Sequence, residues 1–222
     1  MNPPNHSEWR EIKALGADHK IKTPEIFARY LDEGVKRAHS VADGFTSGPW
    51  LDTGQITTLH WATYGGIFKC AGEIRAHELE GAKETFSKAN LIRSDLKALN
   101  AFSREHWFRS EDPLVLAKEM AAYNAAFFKI QPFAFGSEEI GKLILSHQAR
   151  ELFGAKINFQ EDQKVYNASI ALAVKGHFSP LAAQIIEHSP LRRAAEIYAI
   201  DRKMVEAEQQ LKERESGMSH SF

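Results

Sequence analysis

The sequence predicts a mainly α-helical domain, on two observations. Apolar residues recur at the three- and four-residue spacing of a helix face along most of the 222-residue chain. A capping residue also stands directly before proline at several places, which is typical of a helix start because proline lacks an amide hydrogen that the first turn would leave unpaired. These starts are Thr23-Pro24, Asp112-Pro113, Ser179-Pro180 and Ser189-Pro190. Only residues 76–85 have weak strand character.

Composition and charge are those of an ordinary globular protein. Apolar residues make up 43% of the chain and charged residues 26%, which suits one domain with a sizeable core. The net charge of −1 gives no electrostatic drive toward nucleic acid or an anionic membrane. Cys70 is the only cysteine, which excludes an internal disulfide. With no long apolar segment and no signal peptide, a cytoplasmic location is expected; export as an effector without such a signal stays open.

Three parts are expected along the chain: an N-terminal arm over residues 1–22, a helical domain over 23–190, and a C-terminal helix with a polar tail over 191–222. The arm has a short apolar face of Trp9, Ile12 and Leu15 that would lie on the domain. The first helix of the domain starts at Thr23 with a stripe that faces the core. This stripe consists of Ile26, Phe27, Tyr30, Leu31, Val35 and Ala38.

The next helix is expected from Leu59 to Gly72, which would mark its end. Gly65-Gly66 inside it would cost about 1 kcal/mol per glycine relative to alanine, which indicates close packing or a kink. His60 and Cys70 lie in the same segment, and we expect a packed histidine and a buried thiol rather than a Cys/His site. A further helix is expected over 87–103, with an apolar stripe of Phe86, Ala89, Ile92, Leu96, Leu99 and Phe102.

An Ala-rich helix that starts at Asp112 leads into residues 130–142, around which the chain is organised. Pro132 ends this helix, Gly136 permits a tight turn, and Ser137 is expected to cap the following helix with its hydroxyl. The following helix continues a buried face and, with helices on both sides, is expected at the centre of the domain. Such a helix N-terminus is a common place to bind a phosphate, because free amides and the helix dipole point there.

Residues 131–142 resemble the signature loop of the Fic/Doc (Fido) family, whose pattern is His-Pro-Phe-x-Asp/Glu-Gly-Asn-Gly/Lys-Arg-x-x-Arg. The segment reads Gln131-Pro132-Phe133-Ala134-Phe135-Gly136-Ser137-Glu138-Glu139-Ile140-Gly141-Lys142, so that Pro132, Phe133 and Gly136 are in register. Gln131 stands at the position of the family's histidine, Phe135 at that of its acid, and Ser137 at that of its asparagine. Glu139 and Lys142 stand at the positions of the two arginines.

A second motif supports the resemblance. The family has a helix that reads roughly His-x-x-x-Phe-x-x-x-Tyr-x-Trp-Ala-Gly-Glu-x-Arg. The residues at these spacings are His60, Tyr64, Phe68, Cys70, Ala71, Gly72, Glu73 and Arg75. The resemblance covers roughly residues 59–190 and implies a helical bundle around a central helix. It also implies that residues 76–85 form a short β-hairpin, the flap, although a plain connecting loop is the alternative.

The resemblance implies enzymes that mostly transfer AMP from ATP to a protein hydroxyl, with the histidine as base, the acid on magnesium, and the asparagine and arginines on the phosphates. The amide of Gln131 cannot accept the proton, and loss of a general base alone typically costs ~10²–10⁴ in rate. Phe135 offers no oxygen ligand to magnesium. Glu138 and Glu139 place negative charge where a triphosphate would dock, and Lys142 is expected to pair with Glu138.

The favoured interpretation is a catalytically degenerate protein, a pseudoenzyme, that binds another protein and uses no metal and no cofactor. It would bind by strand addition or apolar docking, either beside Phe133 and Phe135 or through the flap. The flap candidates are Ala76, His77, Glu78 and Leu79. The oligomeric state is left open.

The alternative interpretation is an active transferase that uses ATP and magnesium to move AMP, or another phosphate-containing group, to a protein hydroxyl. Glu138, Glu139 and His147 are its candidates for acid–base work. A nucleic-acid regulator is disfavoured, because lysine and arginine are scattered and form no stripe for phosphate contact.

Overall fold

The structure is a computed structural model that describes residues 3–79, 86–157 and 163–189. These ranges contain eight α-helices, one short 3₁₀ helix (Ala89–Leu91) and no strand, which confirms the all-α prediction. Not one of the described helices has the length and apolar character needed to cross a membrane. The helices are α1 (His6–Ala14), α2 (Pro24–Asp43), α3 (Thr53–Tyr64), α4 (Ile92–His106), α5 (Pro113–Ile130), α6 (Ser137–Phe153), α7 (Gln163–Val174) and α8 (Ser179–Glu187).

Helices α5 and α6 lie between two clusters of buried side chains, which confirms the central position predicted for α6. Tyr123 and Phe127 of α5, with Ile140 and Ile144 of α6, belong to a core shared with α2, α3 and α4. Other positions of the same two helices belong to a second core shared with α7 and α8. These are Ala117, Met120, Ala121, Ala125, Leu145 and Ala149. The turn between α5 and α6 is therefore held from both sides.

The proline-led starts of α2 and α5 form as predicted. The hydroxyl of Thr23 accepts a hydrogen bond from the amide of Ile26 at 3.3 Å, and the carboxylate of Asp112 accepts one from the amide of Leu114 at 2.8 Å. Helix α8 starts at Ser179, but the cap position is Phe178, which makes no side-chain capping bond. The start predicted at Ser189-Pro190 and the C-terminal part predicted over 191–222 lie outside the described residues, as do residues 80–85 of the predicted flap.

The predicted end of α3 at Gly72 is wrong. The helix ends at Tyr64 and Gly65 is its C-cap, so the costly glycine pair lies at the end of the helix and not inside it. Gly66 lies against the ring of Tyr30, and Gly72 is in a later turn with a φ of +85°.

Two side chains assigned to apolar faces are exposed. Leu15 is 42% exposed because α1 ends one residue before it, although Trp9 and Ile12 pack against the core as predicted. Phe102 is 50% exposed, since Ser103 takes the inward position one residue later on α4.

Helices α2 and α3 cross at a point where only glycine fits. A Cβ atom on Gly34 of α2 would lie 1.9 Å from the carbonyl oxygen of Thr63 in α3. The obstacle is backbone, so a rotamer change cannot relieve it. The hydroxyl of Thr63 bonds the carbonyl of Leu59 at 2.8 Å, which keeps this face of α3 regular.

We predict that Gly34→Ala destabilises the protein by about 2 kcal/mol or more, because overpacking at a backbone contact forces the two helices apart. The measurement is the midpoint of urea unfolding. Gly54→Ala in α3 is the control, since its added methyl would meet only the carboxylate of Asp52. Alanine usually stabilises a helix interior relative to glycine, so a Gly34→Ala protein as stable as wild type would contradict the crossing.

Candidate functional site

Residues 131–136, the signature turn, connect the end of α5 to the start of α6. Gln131 is the C-cap of α5 and has the left-handed conformation, with φ 47° and ψ 66°. Such a conformation is uncommon for a residue other than glycine and needs support from its surroundings. Pro132 then ends the helix as predicted, and Phe133 is 1% exposed.

Gly136 is required by both its conformation and its neighbours. Its φ is +75°, and a Cβ atom at this position would lie 2.4 to 2.7 Å from ring atoms and the hydroxyl oxygen of Tyr64. The tight turn predicted at this glycine is therefore confirmed, and the structure adds its reason: the backbone passes directly over a tyrosine of α3.

The prediction that Ser137 caps α6 is wrong. Gly136 occupies the cap position, and no side chain makes a capping bond there. Ser137 is the first residue of the helix, 4% exposed, and its hydroxyl has no hydrogen-bond partner. The side-chain oxygen of Gln131 is likewise buried without a partner, so one unpaired polar atom lies at the start of the signature turn and another directly after it.

Two rings of the signature turn pack with three rings of α3 and the segment after it, and together they form what we call the aromatic cluster: His60, Tyr64, Phe68, Phe133 and Phe135. Phe133 stacks on His60 with ring centroids 3.8 Å apart. The ring centroid of half-buried Phe135 lies 4.1 Å from that of Phe68, 5.0 Å from that of His60 and 5.3 Å from that of Tyr64. Phe135 is therefore held by rings of α3 and the turn that follows it.

His60 bridges two segments in its neutral form. Its Nδ1 accepts a hydrogen bond from the amide of Gly72 at 2.8 Å, so its Nε2 carries the proton and donates to the carbonyl of Phe135 at 3.2 Å. Burial lowers the pKa of His60 to about 4, and the bond to Phe135 offsets this only in part. The predicted packed histidine is confirmed, whereas the predicted burial of Cys70 is wrong, because this thiol is exposed.

Arg75 holds the signature turn from the other side. Its side chain is 3% exposed, and its Nε donates to the carbonyl of Gln131 at 2.8 Å. Its own amide donates to the carbonyl of Pro132 at 3.0 Å, and its guanidinium also reaches the carbonyls of His77 and Ser87. The sequence indicated Arg75 only as a motif position, because no spacing rule predicts which carbonyls a buried guanidinium reaches.

Near the start of α6, Lys142 forms ion pairs with two glutamates, and the spacing predicted the one with Glu138. Lys142 lies 3.2 Å from the carboxylate of Glu138 and 2.9 Å from that of Glu139. Its ammonium also lies 5.3 Å from the ring centroid of Tyr166. Burial raises the pKa of Glu138, and the charge of Lys142 opposes this rise. Burial also raises the pKa of Tyr64, and the charges of Glu139 and Glu138 raise it further.

His147 does not take part in the site. It lies ten residues along α6 from Ser137, about 15 Å at the rise of a helix. It is 2% exposed, its Nε2 lies 2.8 Å from the carbonyl of Gly48, and its Nδ1 lies 3.1 Å from the guanidinium of Arg150. Burial is the main reason that its pKa is lowered.

The described flap candidates have no strand structure. Ala76, His77 and Glu78 are exposed, and Leu79 is half-buried. The carboxylate of Glu78 accepts a hydrogen bond from the amide of Ala89 at 2.9 Å, so it ties this segment to the start of the 3₁₀ helix. Within the described ranges, no group of three His, Cys, Asp or Glu side chains is placed to hold a metal ion.

Solved structures with the same arrangement of helices are Fic domains. The chain has the Fic fold. The Fic domain of Bep8, a VirB-translocated effector protein of Bartonella sp. 1-1C, aligns with a TM-score of 0.66 and 14% identity over 81% of this chain and 92% of that one. The Fic domain of a putative cell filamentation protein of Bartonella quintana aligns with a TM-score of 0.63 and 19% identity over 82% and 92% of the two chains.

A third structure, BepC of Bartonella tribocorum with bound AMPPNP, aligns with a TM-score of 0.62 and 17% identity over 78% of this chain and 90% of that one. No protein-family model and no curated protein matches the sequence. The likeness therefore establishes the fold, as the resemblance in sequence predicted, and leaves the activity to be argued from the residues of the site.

We predict that His60 makes the protein less stable as the pH falls from about 6.5 to about 4. The folded pKa is about 4 and the ordinary value is 6.5, so the unfolded state takes up the proton first. Stability is then full above pH 6.5, and about 3 kcal/mol is lost across this range. Urea unfolding at several pH values measures the loss.

His60→Asn keeps an acceptor for the amide of Gly72 but does not titrate, so its stability should fall less over the same range. His39 and His147 also have lowered pKa values and add to the slope in both proteins. A His60→Asn profile parallel to that of wild type would rule out this role. His177→Asn, at an exposed position, controls for the loss of a histidine.

Proposed function

We propose that this Fic-fold protein is a pseudoenzyme that acts by binding another protein. The observation that carries the proposal is the packing of Phe135. The resemblance places a magnesium-binding acid at this position, and here a benzyl ring lies against the rings of His60, Tyr64 and Phe68. A hard divalent ion needs oxygen ligands, which this ring cannot supply.

The charges at the start of α6 support the same conclusion. Glu139 stands at the position of the family's first arginine, and Lys142 stands at that of the second. The ammonium of Lys142 forms ion pairs with the carboxylates of Glu138 and Glu139. An anionic triphosphate would gain nothing from this cation until it displaced both carboxylates. The residues present therefore do not fit a magnesium–nucleotide complex.

The residue at the position of the family's base supports it as well. Gln131 has an amide, which takes no proton near neutral pH. Its strained backbone is held by the bond from Arg75 to its carbonyl, so the turn keeps its shape without a ligand. The backbone conformation of the turn thus does not depend on the side chain that stands at the position of the family's base.

The surface proposed for the partner is the exposed segment 76–78. Phe133, a groove candidate in the sequence, is 1% exposed and cannot contact a partner in this conformation. Phe135 is half-buried and residues 76–78 are exposed, so both stay accessible. An extended segment of the partner protein, paired along this backbone, is the binding mode that suits it. The single exposed cysteine suits a reducing compartment such as the cytoplasm.

We predict that the wild-type protein binds ATP with magnesium more weakly than about 1 mM by calorimetry. We also predict that it transfers no label from ATP to itself or to lysate proteins, because base, metal ligand and cationic clamp are all missing. Phe135→Asp/Glu139→Arg supplies a metal ligand and a cation, and it should bind the nucleotide measurably more tightly than the wild type.

Calorimetry measures nucleotide binding and the labelling assay measures transfer, so the two steps are tested separately. Magnesium-dependent labelling by the wild-type protein that is lost in Gln131→Ala would overturn the proposal. Gln131→Ala is suited to this purpose because the side-chain oxygen that it removes makes no hydrogen bond in the folded protein. Circular dichroism should show that both variants are as helical as the wild type.

An active transferase is the second candidate, and one set of observations favours it. The signature turn leaves the oxygen of Gln131 and the hydroxyl of Ser137 unpaired, and it precedes a helix whose first amides lack helical partners. BepC holds bound AMPPNP, and a further Bartonella quintana Fic domain, 20% identical with a TM-score of 0.60, holds bound ADP. Under this candidate, ADP should bind the wild-type protein and Ser137→Ala should weaken it, a result that the pseudoenzyme proposal does not expect.

A further inference from the structure

The guanidinium of Arg75 joins three segments that lie far apart in sequence. It bonds the carbonyls of Ile130 and Gln131 at the end of α5, at 3.5 and 2.8 Å. It also bonds the carbonyl of His77 at 2.9 Å and that of Ser87, one on each side of residues 78–86. Its side chain is 3% exposed, so the guanidinium is almost entirely shielded from water.

Three consecutive carbonyls, those of residues 130–132, accept bonds from this one residue, since the amide of Arg75 also donates to Pro132 at 3.0 Å. Ordinarily the last carbonyls of a helix need separate partners. The left-handed conformation of Gln131 costs free energy, and the bonds from Arg75 are what offset that cost here. The shape of the turn therefore depends on where the guanidinium sits.

Glu78 connects the exposed segment to this guanidinium. Its Oε2 lies 3.6 Å from Nη1 of Arg75, and its Oε1 accepts the hydrogen bond from the amide of Ala89. A buried guanidinium that loses an acceptor is left with a costly unpaired N–H group. It must move or find another acceptor, and either response changes its bonds to the turn.

We propose that Arg75 is a positioning residue that couples the exposed segment 76–78 to the conformation of the signature turn. This inference rests on the proposed function in one respect, which is that segment 76–78 is where a partner binds. A protein that pairs with this backbone shifts His77 and Glu78, and the shift reaches Gln131 through the guanidinium. Coupling of this kind is reciprocal, so whatever fixes the turn also fixes the segment.

The test is amide hydrogen exchange on the free protein, measured by NMR with neither nucleotide nor partner present. Three amides report on the coupled region: Gln131 donates to Phe127, Arg75 to Pro132, and Ser87 to Lys129. The amide of Trp107, which donates to Ser103 at the end of α4, is the remote control. Glu78→Ala removes the acidic link, and Glu78→Gln keeps the acceptor for Ala89 while it removes the charge beside Arg75.

Glu78→Ala is expected to speed exchange at the amide of Gln131 about tenfold and to leave Trp107 unchanged. Glu78→Gln is expected to have a smaller effect of the same sign. Arg75→Lys removes the guanidinium that joins the segments. In this background, Glu78→Ala should change the exchange rate of the Gln131 amide by less than about twofold.

An unchanged Gln131 rate in Glu78→Ala overturns the inference, as does an equal change in both backgrounds. If Arg75→Lys does not fold, the Glu78→Ala variant decides alone. A faster exchange at the amide of Gln131 but not at that of Trp107 supports the coupling, and an equal acceleration at both amides overturns it. Because no nucleotide or partner is used, these outcomes are independent of whether the pseudoenzyme proposal holds.

Discussion

The structure depends on how the turn between α5 and α6 is held. Both helices contribute to both hydrophobic cores, so a change in the angle between them would disturb every other helix that packs on them. The turn combines a left-handed glutamine, a proline and a left-handed glycine, which gives it little stability of its own. It is fixed from one side by the carbonyl bonds of Arg75 and from the other by His60, which donates to the carbonyl of Phe135.

Both of these supports are polar groups that are buried in an apolar region, and both are fully used. His60 has one bond at each ring nitrogen, and the fork of Arg75 faces carbonyls from three segments. Buried polar groups are costly without partners, so such a network specifies one arrangement of the turn more sharply than apolar packing does. The unpaired oxygens of Gln131 and Ser137 are exceptions at the same place.

The Fic fold does not by itself decide between a pseudoenzyme and a transferase, because one fold supports many functions. The chemistry of the residues at particular positions distinguishes the two. An aromatic ring at Phe135 stabilises the turn by packing with the cluster, and it does so at the expense of a metal ligand. The pair of acids before Lys142 stabilises the helix start through its dipole and occupies the cation. Under the proposed function, both positions favour stability of the fold over binding of a phosphate.

The sequence alone predicted the helical class, the starts of α2 and α5, the central position of α6 and a tight turn at Gly136, because periodicity and capping chemistry depend mostly on neighbouring residues. It also indicated the pairing of Lys142 with Glu138, which lie one helical turn apart. Only the tertiary structure decided that α3 ends at Tyr64, that Ser137 does not cap α6, and that Gly34 is required by the carbonyl of Thr63. The role of Arg75 belongs to this second group, since the acceptors of its guanidinium lie up to 56 residues away in sequence and are brought within reach only when the helices pack.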